Sequence, residues 1–177
     1  MKPTVLIVDD EPLAGVCGIS HTRWATHGPA TERNAHPHLD EAADFAVVHN
    51  GVIENHLQLR QQLEDDGVVF RSDTDTEVLA HLVGKHFEAL GPSDLKTQTG
   101  TQRLVEAVRS ALRLVVGTYG IAVVHEEAPG VVVGARRGSP LVLGIGKGEH
   151  FLASDVSAIA SHTREVVFLK DFDIAAV

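Results

Sequence analysis

The chain has a single cysteine, Cys17, in 177 residues. It therefore forms no internal disulfide, which fits a reducing cytoplasmic setting. Aromatic material is scarce, with one Trp and one Tyr, so the core has to be built from aliphatic side chains. Positive charge is in deficit: 15 Lys and Arg stand against 24 Asp and Glu, a net charge of −9. That balance excludes nucleic acid and anionic membrane as main partners, since both need a basic face. No apolar run approaches the roughly 20 residues of a membrane span, and "MKPTVLIVDDEP" lacks a targeting leader. Internal repeats and low-complexity tracts are also missing. What remains is a globular domain long enough to bury roughly 70% of its unfolded surface.

The apolar residues are arranged with readable periods. "TVLIV" (Thr4 to Val8) is a β-branched run ending at Asp9 and Asp10, so it reads as a buried strand. "VCGIS" and "FAVVH" read as two more strands, the second closing on Asn50-Gly51. From Ile53 to Asp66, the residues Ile53, Leu57 and Leu63 recur at helical spacing, with Gly67 as the C′ residue. "TDTE" offers a capping box, Thr74 at N-cap and Glu77 at N3. The helix it opens carries Val78, Leu79, Leu82, Val83 and Phe87 on one face and stops at Gly91-Pro92. A third helix, about Thr101 to Val116, has Leu104, Val108, Ala111, Leu112 and Val115 as its stripe. Short strands follow at "YGIAVVH", "GVVVGAR", "PLVLGI", "HFLAS" and "EVVFLK", with a helical turn near Val156 to Ala160. Strands, then helices, then strands predict an α+β layered fold with antiparallel sheets.

Eleven histidines raise the question of a metal. His21, His27, His36 and His38 sit in "HTRWATHG" and "NAHPH", but no Cys pair or H-E-x-x-H accompanies them, so no metal is expected and they read as surface, hydrogen-bonding loop residues. Cys17 in an extended segment lies roughly 13 Å from His21 at about 3.3 Å per residue, too far for a hydrogen bond. It reads as a small apolar residue whose thiol stays protonated. Asn50-Gly51 has two readings: a turn, or an oxyanion hole made of an Asn side chain and a Gly N–H. Arg23 and Asp75 are a surface arginine and a helix-start aspartate, or a clamp for the carboxylate and ammonium of an amino acid.

As an ordered set, "GISHTRWATHG", "NAHPH", "VVHNGVIENHLQLRQQL", "SDTDTEVLAHLV", "ARRGSPLVLGIGKGEHFLASD" and "TREVVFLKD" resemble the glutaminase domain of the isomerising glutamine–fructose-6-phosphate aminotransferase family, from about Gly15 to Val177. The resemblance implies an αββα four-layer sandwich of the N-terminal-nucleophile type. It also implies class II glutamine amidotransferase chemistry, in which a cysteine attacks the side-chain amide of L-glutamine and ammonia leaves for glucosamine 6-phosphate synthesis. By match to the family's motifs, Arg23 binds the substrate carboxylate and Asp75 the α-amino group. Trp24, Thr26 and His27 line the pocket, and Asn50 and Gly51 form the oxyanion hole. No cofactor is implied.

One departure matters. The family's nucleophile is a cysteine heading the mature chain, with its own α-amine as base, whereas this sequence starts "MKPTV". Cys17-Gly18-Ile19 imitates the family's "CGI" opening, but in a segment leading directly into "SHTRWATHG". The expectation is therefore a glutaminase domain over 15–177, incomplete at its N-terminus and inactive as given. The sugar-isomerase half is expected to be absent from this chain. Residues 1–14 resemble the opening strand of a response-regulator receiver, with Asp9 and Asp10 as its acidic pair. The rival readings are a thiol amidohydrolase using Cys17 with His27 as base, and a non-catalytic binding or receiver-like module. Nothing in the sequence sets an oligomeric state.

Overall fold

The computed structural model describes residues 17–22, 27–91 and 99–177. The expected strand Thr4–Val8 and the pair Asp9-Asp10 lie outside the described residues. After a 3-10 turn at Glu32–Asn34, the elements are β1 (His38–Leu39), β2 (Phe45–Ile53), α1 (His56–Asp65), α2 (Asp75–Ala89) and α3 (Gly100–Leu112). Then come β3 (Gly117–His125), β4 (Val133–Arg137), β5 (Val142–Ile145), β6 (His150–Ala153), β7 (Val166–Phe168) and β8 (Ile174–Ala176). A second 3-10 turn spans Val156–Ala158, where the sequence predicts a helical turn.

Among the described residues these strands form two antiparallel sheets: five strands in the order β1-β2-β3-β4-β8, and three in the order β6-β5-β7. The long pair β2–β3 sets the larger sheet, with Val47 opposite Val123 and Asn50 opposite Gly120. Strand side chains alternate between faces. Accordingly Phe45, Val47 and Ile53 of β2, with Tyr119, Ile121 and Val123 of β3, enter one core with the helices. The opposite face meets the smaller sheet: a Cβ on Gly134 of β4 would stand 2.7 Å from a methyl of Leu152 and 3.1 Å from one of Leu141.

The helices follow their stripes. Val78, Leu79, Leu82, Val83 and Phe87 of α2, and Leu104, Val108, Ala111 and Leu112 of α3, are all buried, as is Val115 just beyond α3. Each fully buried Leu, Val or Phe adds about 1.5–3 kcal/mol of transfer free energy. Helix α3 opens with a complete capping box, Thr99 receiving the Gln102 N–H while the Gln102 side chain receives that of Thr99. Helix α1 ends in a Schellman motif: Val68 N–H reaches Leu63 O and Gly67 N–H reaches Glu64 O, both at 2.9 Å. Gly67 there has φ +96°, as its expected C′ role requires.

Several expectations change. Cys17–Ser20 form no strand; a short run interrupted by Gly18 has weak β preference. Helix α1 begins at His56, because Ile53 belongs to β2. Its buried residues are Leu59 and Leu63, while Leu57 is 70% exposed. Asn50-Gly51 is no turn: β2 runs through it to Ile53. Two short strands went unanticipated, β1 before β2 and β8, which pairs with β4.

Candidate functional site

The β2–β3 pair is distorted at the end where Ile53 meets Gly117. Gly51 has φ +135° and Gly117 has φ +126°, a region that side chains with a Cβ avoid. A Cβ on Gly51 would sit 2.2 Å from the Thr118 carbonyl oxygen, and one on Gly117 would sit 2.2 Å from that of Val52. Beside this kink, side chains take the β2 amides. Val52 N–H donates to Thr118 Oγ1 (3.2 Å) and Ile53 N–H to Asp75 Oδ2 (2.8 Å).

Asp75 is the first residue of α2, and the helix follows from its own cap: Thr74 Oγ1 accepts the Glu77 N–H at 3.3 Å. Only this half of the expected capping box forms. The Glu77 carboxylate instead accepts from Arg71 N–H (2.7 Å), Ser72 N–H (2.6 Å) and the Ser72 hydroxyl (2.6 Å). Burial opposes ionisation of Glu77, but the His81 ring 3.6 Å away and the hydrogen bonds from the Ser72 hydroxyl and the two backbone N–H groups prevail and hold its pKa at about 2. Asp75 and Glu77 also sit where the helix macrodipole favours negative charge. Asp75 is 3% exposed, with His27 Nδ1 at 3.6 Å from its Oδ2.

A chain of hydrogen bonds links the two faces of β2. Asn50 Oδ1 meets His21 Nε2 at 2.8 Å, and His21 Nδ1 meets His36 Nδ1 at 2.7 Å. His36 Nε2 meets Thr76 Oγ1 at 2.8 Å, Thr76 Oγ1 meets His49 Nδ1 at 3.1 Å, and His49 Nε2 faces the Thr118 carbonyl at 3.3 Å. His38 lies outside this chain of bonds: its Nε2 bonds Thr74 Oγ1 (3.0 Å) and its ring centroid is 5.1 Å from that of His36. His49 is 3% exposed. Burial lowers its pKa, and the nearby Asp75 carboxylate only partly offsets that.

Asn50 lies on the wall of an open cavity of about 360 Å³ between the two sheets. His21, Gly120, Leu141, Leu152 and Ser154 are among its other lining residues. That volume is at the lower end for a small-molecule site, roughly 300–1,000 Å³, and the mixture of apolar walls with a few polar groups suits a small polar ligand.

The structure thus brings Asn50 against His21, and His27 against Asp75, all around one end of β2 and the start of α2. Arg23, Trp24 and Thr26 lie outside the described residues. Cys17 is elsewhere: it borders a different cavity, with Ala43–Ala46 and Val124–Glu126 among the walls. That is the Phe45 end of β2, roughly 26 Å along the strand from Ile53 at about 3.3 Å per residue. Its thiol pKa is raised by burial, away from the thiolate a nucleophile needs. Cys17 and His27 are not brought together.

Among the described residues no group of three or more His, Cys, Asp or Glu is placed to hold a metal ion, and no helix is long and apolar enough to cross a membrane. The roles of His21, His36, His49, Thr76 and Glu77 escaped the sequence reading. Their one signal was the number of histidines, which local spacing resolves into loop residues. His38 is buried rather than on the surface, and His49 is buried within β2.

This α+β domain matches known proteins in both sequence and fold. The sequence model described as a glutamine amidotransferase domain matches residues 21–161. The chain belongs to that family, and within it to class II. It is 49% identical over 164 residues to glutamine–fructose-6-phosphate aminotransferase (isomerising) of Methanothermobacter thermautotrophicus, covering 93% of this chain and 26% of that protein. With the Chlorobaculum tepidum aminotransferase of the same name the identity is 50% over 168 residues, covering 93% and 25%. The chain spans about a quarter of the length of these relatives. Its fold matches that of glutamine phosphoribosylpyrophosphate amidotransferase from B. subtilis with a TM-score of 0.62 at 25% identity, over 89% of this chain and 33% of that one.

Proposed function

We propose that this chain is a glutamine-recognising domain of the aminotransferase type. Asn50 and Gly51 supply the oxyanion donors toward the glutamine amide. Arg23 and Asp75 hold the α-carboxylate and α-amino groups, and Trp24, Thr26 and His27 close the pocket. The observation that carries this reading is the Asn50 side chain on the cavity wall beside the Gly51 kink. An oxyanion hole needs donors fixed before the charge develops, and a kinked strand locked by Asp75 and Thr118 holds Asn50 in that way. In the same reading, helices on one face of the larger sheet and the smaller sheet on the other belong to an αββα sandwich, with residues 15–177 as the glutaminase-type domain and 1–14 as a receiver-like strand.

Hydrolysis is not assigned to Cys17, the one cysteine of the sequence. It lies at the far end of β2 and its thiol is held protonated, so the purified chain binds glutamine without turning it over.

Titrating L-glutamine against thermal and urea unfolding tests the binding. Ligand at 100 times its Kd raises stability by about 2.7 kcal/mol, and Asp75→Asn and Arg23→Ala abolish that gain. Absence of any glutamine-dependent stabilisation removes the reading. Glutamate release that is present in wild type and lost in Cys17→Ala favours the thiol amidohydrolase instead.

A further inference from the structure

The chain from Asn50 to Thr118 has a proton deficit. It contains five consecutive contacts: Asn50–His21, His21–His36, His36–Thr76, Thr76–His49 and His49–Thr118 O. Each contact needs one hydrogen. A neutral imidazole supplies one, and so does a hydroxyl. Three neutral rings and Thr76 therefore supply four hydrogens for five contacts. The Thr118 carbonyl can only accept, and so can Asn50 Oδ1, so the two ends of the chain make opposite demands on everything between them.

Two arrangements close the deficit. In the first, one ring carries an extra proton. His21 Nε2–H then donates to Asn50 Oδ1, His49 Nε2–H donates to Thr118 O, and every link is filled. In the second, all rings are neutral and the Asn50 amide is turned, so that its Nδ2–H donates to His21 Nε2. His21 then donates to His36, His36 to Thr76, Thr76 to His49, and His49 to Thr118 O. The oxygen and nitrogen ends of a side-chain amide have the same shape, so the surrounding donors and acceptors decide which end faces where.

Because Asn50 lies on the cavity wall, the two arrangements present different chemistry to it. With the extra proton, the oxygen is engaged by His21 and the NH₂ is presented to the cavity as a donor. With neutral rings, the oxygen is presented instead, and an acceptor repels a developing oxyanion.

We propose that His21, His36 and Thr76 are positioning residues for Asn50, and that one shared proton on the His21–His36 pair selects the donor-presenting state of its amide. The proposal rests on the reading of Asn50 as an oxyanion donor. Among the described residues β1 pairs only with Ala46 and Val47, so beyond them His21 and His36 pass around the β1 side of β2. That lets the first turn of α2 on one face communicate with the cavity on the other. Among the described residues, the His38 ring stands 5.1 Å from that of His36, and His49, reached through Thr76, is in turn influenced by the charges of Asp75, His21 and His27. His49 disfavours the charge because burial lowers its pKa, which leaves His21 and His36 to hold it.

The test is a ¹⁵N NMR titration of the uniformly labelled, ligand-free chain from pH 5 to 8, following the ring nitrogens of His21, His36 and His49 and the side-chain amide of Asn50. The expected result is uptake of one proton shared by His21 and His36, with the Asn50 NH₂ resonances moving at the same midpoint. Thr76→Ser keeps the hydroxyl and the co-titration; Thr76→Val cuts the chain and frees the Asn50 amide from the ring titration. Asn50 resonances that stay still while the two rings titrate overturn the proposal, as does uptake of the proton by His49. If Thr76→Val does not fold, wild type and Thr76→Ser still decide. Since no glutamine is present, co-titration in a chain that fails to bind glutamine upholds the proton chain while removing the functional reading.

Discussion

Glu77 offers the most quantitative test of how the site is held. Its carboxylate is buried and accepts three hydrogen bonds, from the Ser72 hydroxyl and the N–H groups of Arg71 and Ser72, with the His81 ring nitrogen 3.6 Å away. Its pKa falls from 4.5 to about 2, and each unit corresponds to about 1.36 kcal/mol of preference for the charged form. The ionised carboxylate therefore contributes roughly 3 kcal/mol to folding at neutral pH. The sign follows from the depressed value. The unfolded chain binds the proton more readily, so this stability is complete above about pH 4.5 and is lost as the pH falls toward 2. Glu77→Gln keeps the shape but puts an NH₂ against the backbone N–H of Arg71 or of Ser72, which can only donate, so it loses the charge and at least one bond. Urea unfolding at pH 7 is expected to show a deficit of roughly 3 kcal/mol for the variant, shrinking steadily as both proteins are moved from pH 4.5 to 2.5. A deficit below about 1 kcal/mol at pH 7, or one undiminished at pH 2.5, refutes the claim that ionic hydrogen bonding outweighs desolvation here.

Other residues give sharper local readouts. Gly51→Ala is expected to cost roughly 3–5 kcal/mol, since its Cβ meets the Thr118 carbonyl at 2.2 Å and φ is +135°. Gly67→Ala, with φ +96° and nothing within 4 Å, isolates the conformational part at about 1 kcal/mol; equal costs in urea unfolding would mean that the clash is relaxed away. Leu104→Ala, at a position with no exposed surface, is expected to lose 2–5 kcal/mol, an order-of-magnitude range for a buried leucine, and a loss under about 1 kcal/mol would place α3 outside the core. His125 packs its ring 4.1 Å from Phe45 and 4.2 Å from Phe87, and burial lowers its pKa against the pull of Glu127 and Asp44. A buried imidazole that resists protonation makes the fold less stable as pH drops below 6.5, so His125→Gln flattens that part of the stability profile measured by urea unfolding.

The helices were legible in the sequence because a 3.6-residue period over three or more turns constrains many positions at once. The stripe of α2 is buried at every position read from it. In α1 the shorter pattern allowed Leu57 in place of Leu59, and the structure shows Leu57 exposed. Asn50-Gly51 misled for a physical reason: Gly in a strand usually marks a turn or a bulge, and only the partner strand shows that this one accommodates a close carbonyl. Short strands such as β1 and β8 are stabilised by their neighbours rather than by their own two or three residues, so no local signal announces them. The site divides along the same line. The Thr74–Glu77 stretch announced a helix start, yet where the Glu77 carboxylate goes depends on Arg71 and Ser72. The histidine chain joins positions 21, 36, 49 and 76, separated by as many as 40 residues between bonded partners, which one-dimensional spacing cannot express.

Three consecutive residues explain why so much of the site hangs on one helical turn. Asp75 holds the β2 backbone through Ile53 N–H, Thr76 ties His36 to His49, and Glu77 fastens Arg71 and Ser72. Successive helical positions point about 100° apart, so each of the three reaches a different segment without competing for space. The N-terminus of α2 favours both carboxylates, and Thr74 secures the turn from below. A change at any one of them therefore reaches the others through the helix rather than through the intersheet cavity. Asn50 lies across β2 from that turn and touches none of these three side chains in the bonds described; it is coupled to them by two routes, the strand backbone through Ile53 and the rings of His21 and His36. If Asn50 is the proposed oxyanion donor, the rigidity that role demands comes from the first route, and the proposed choice of which amide end it presents comes from the second.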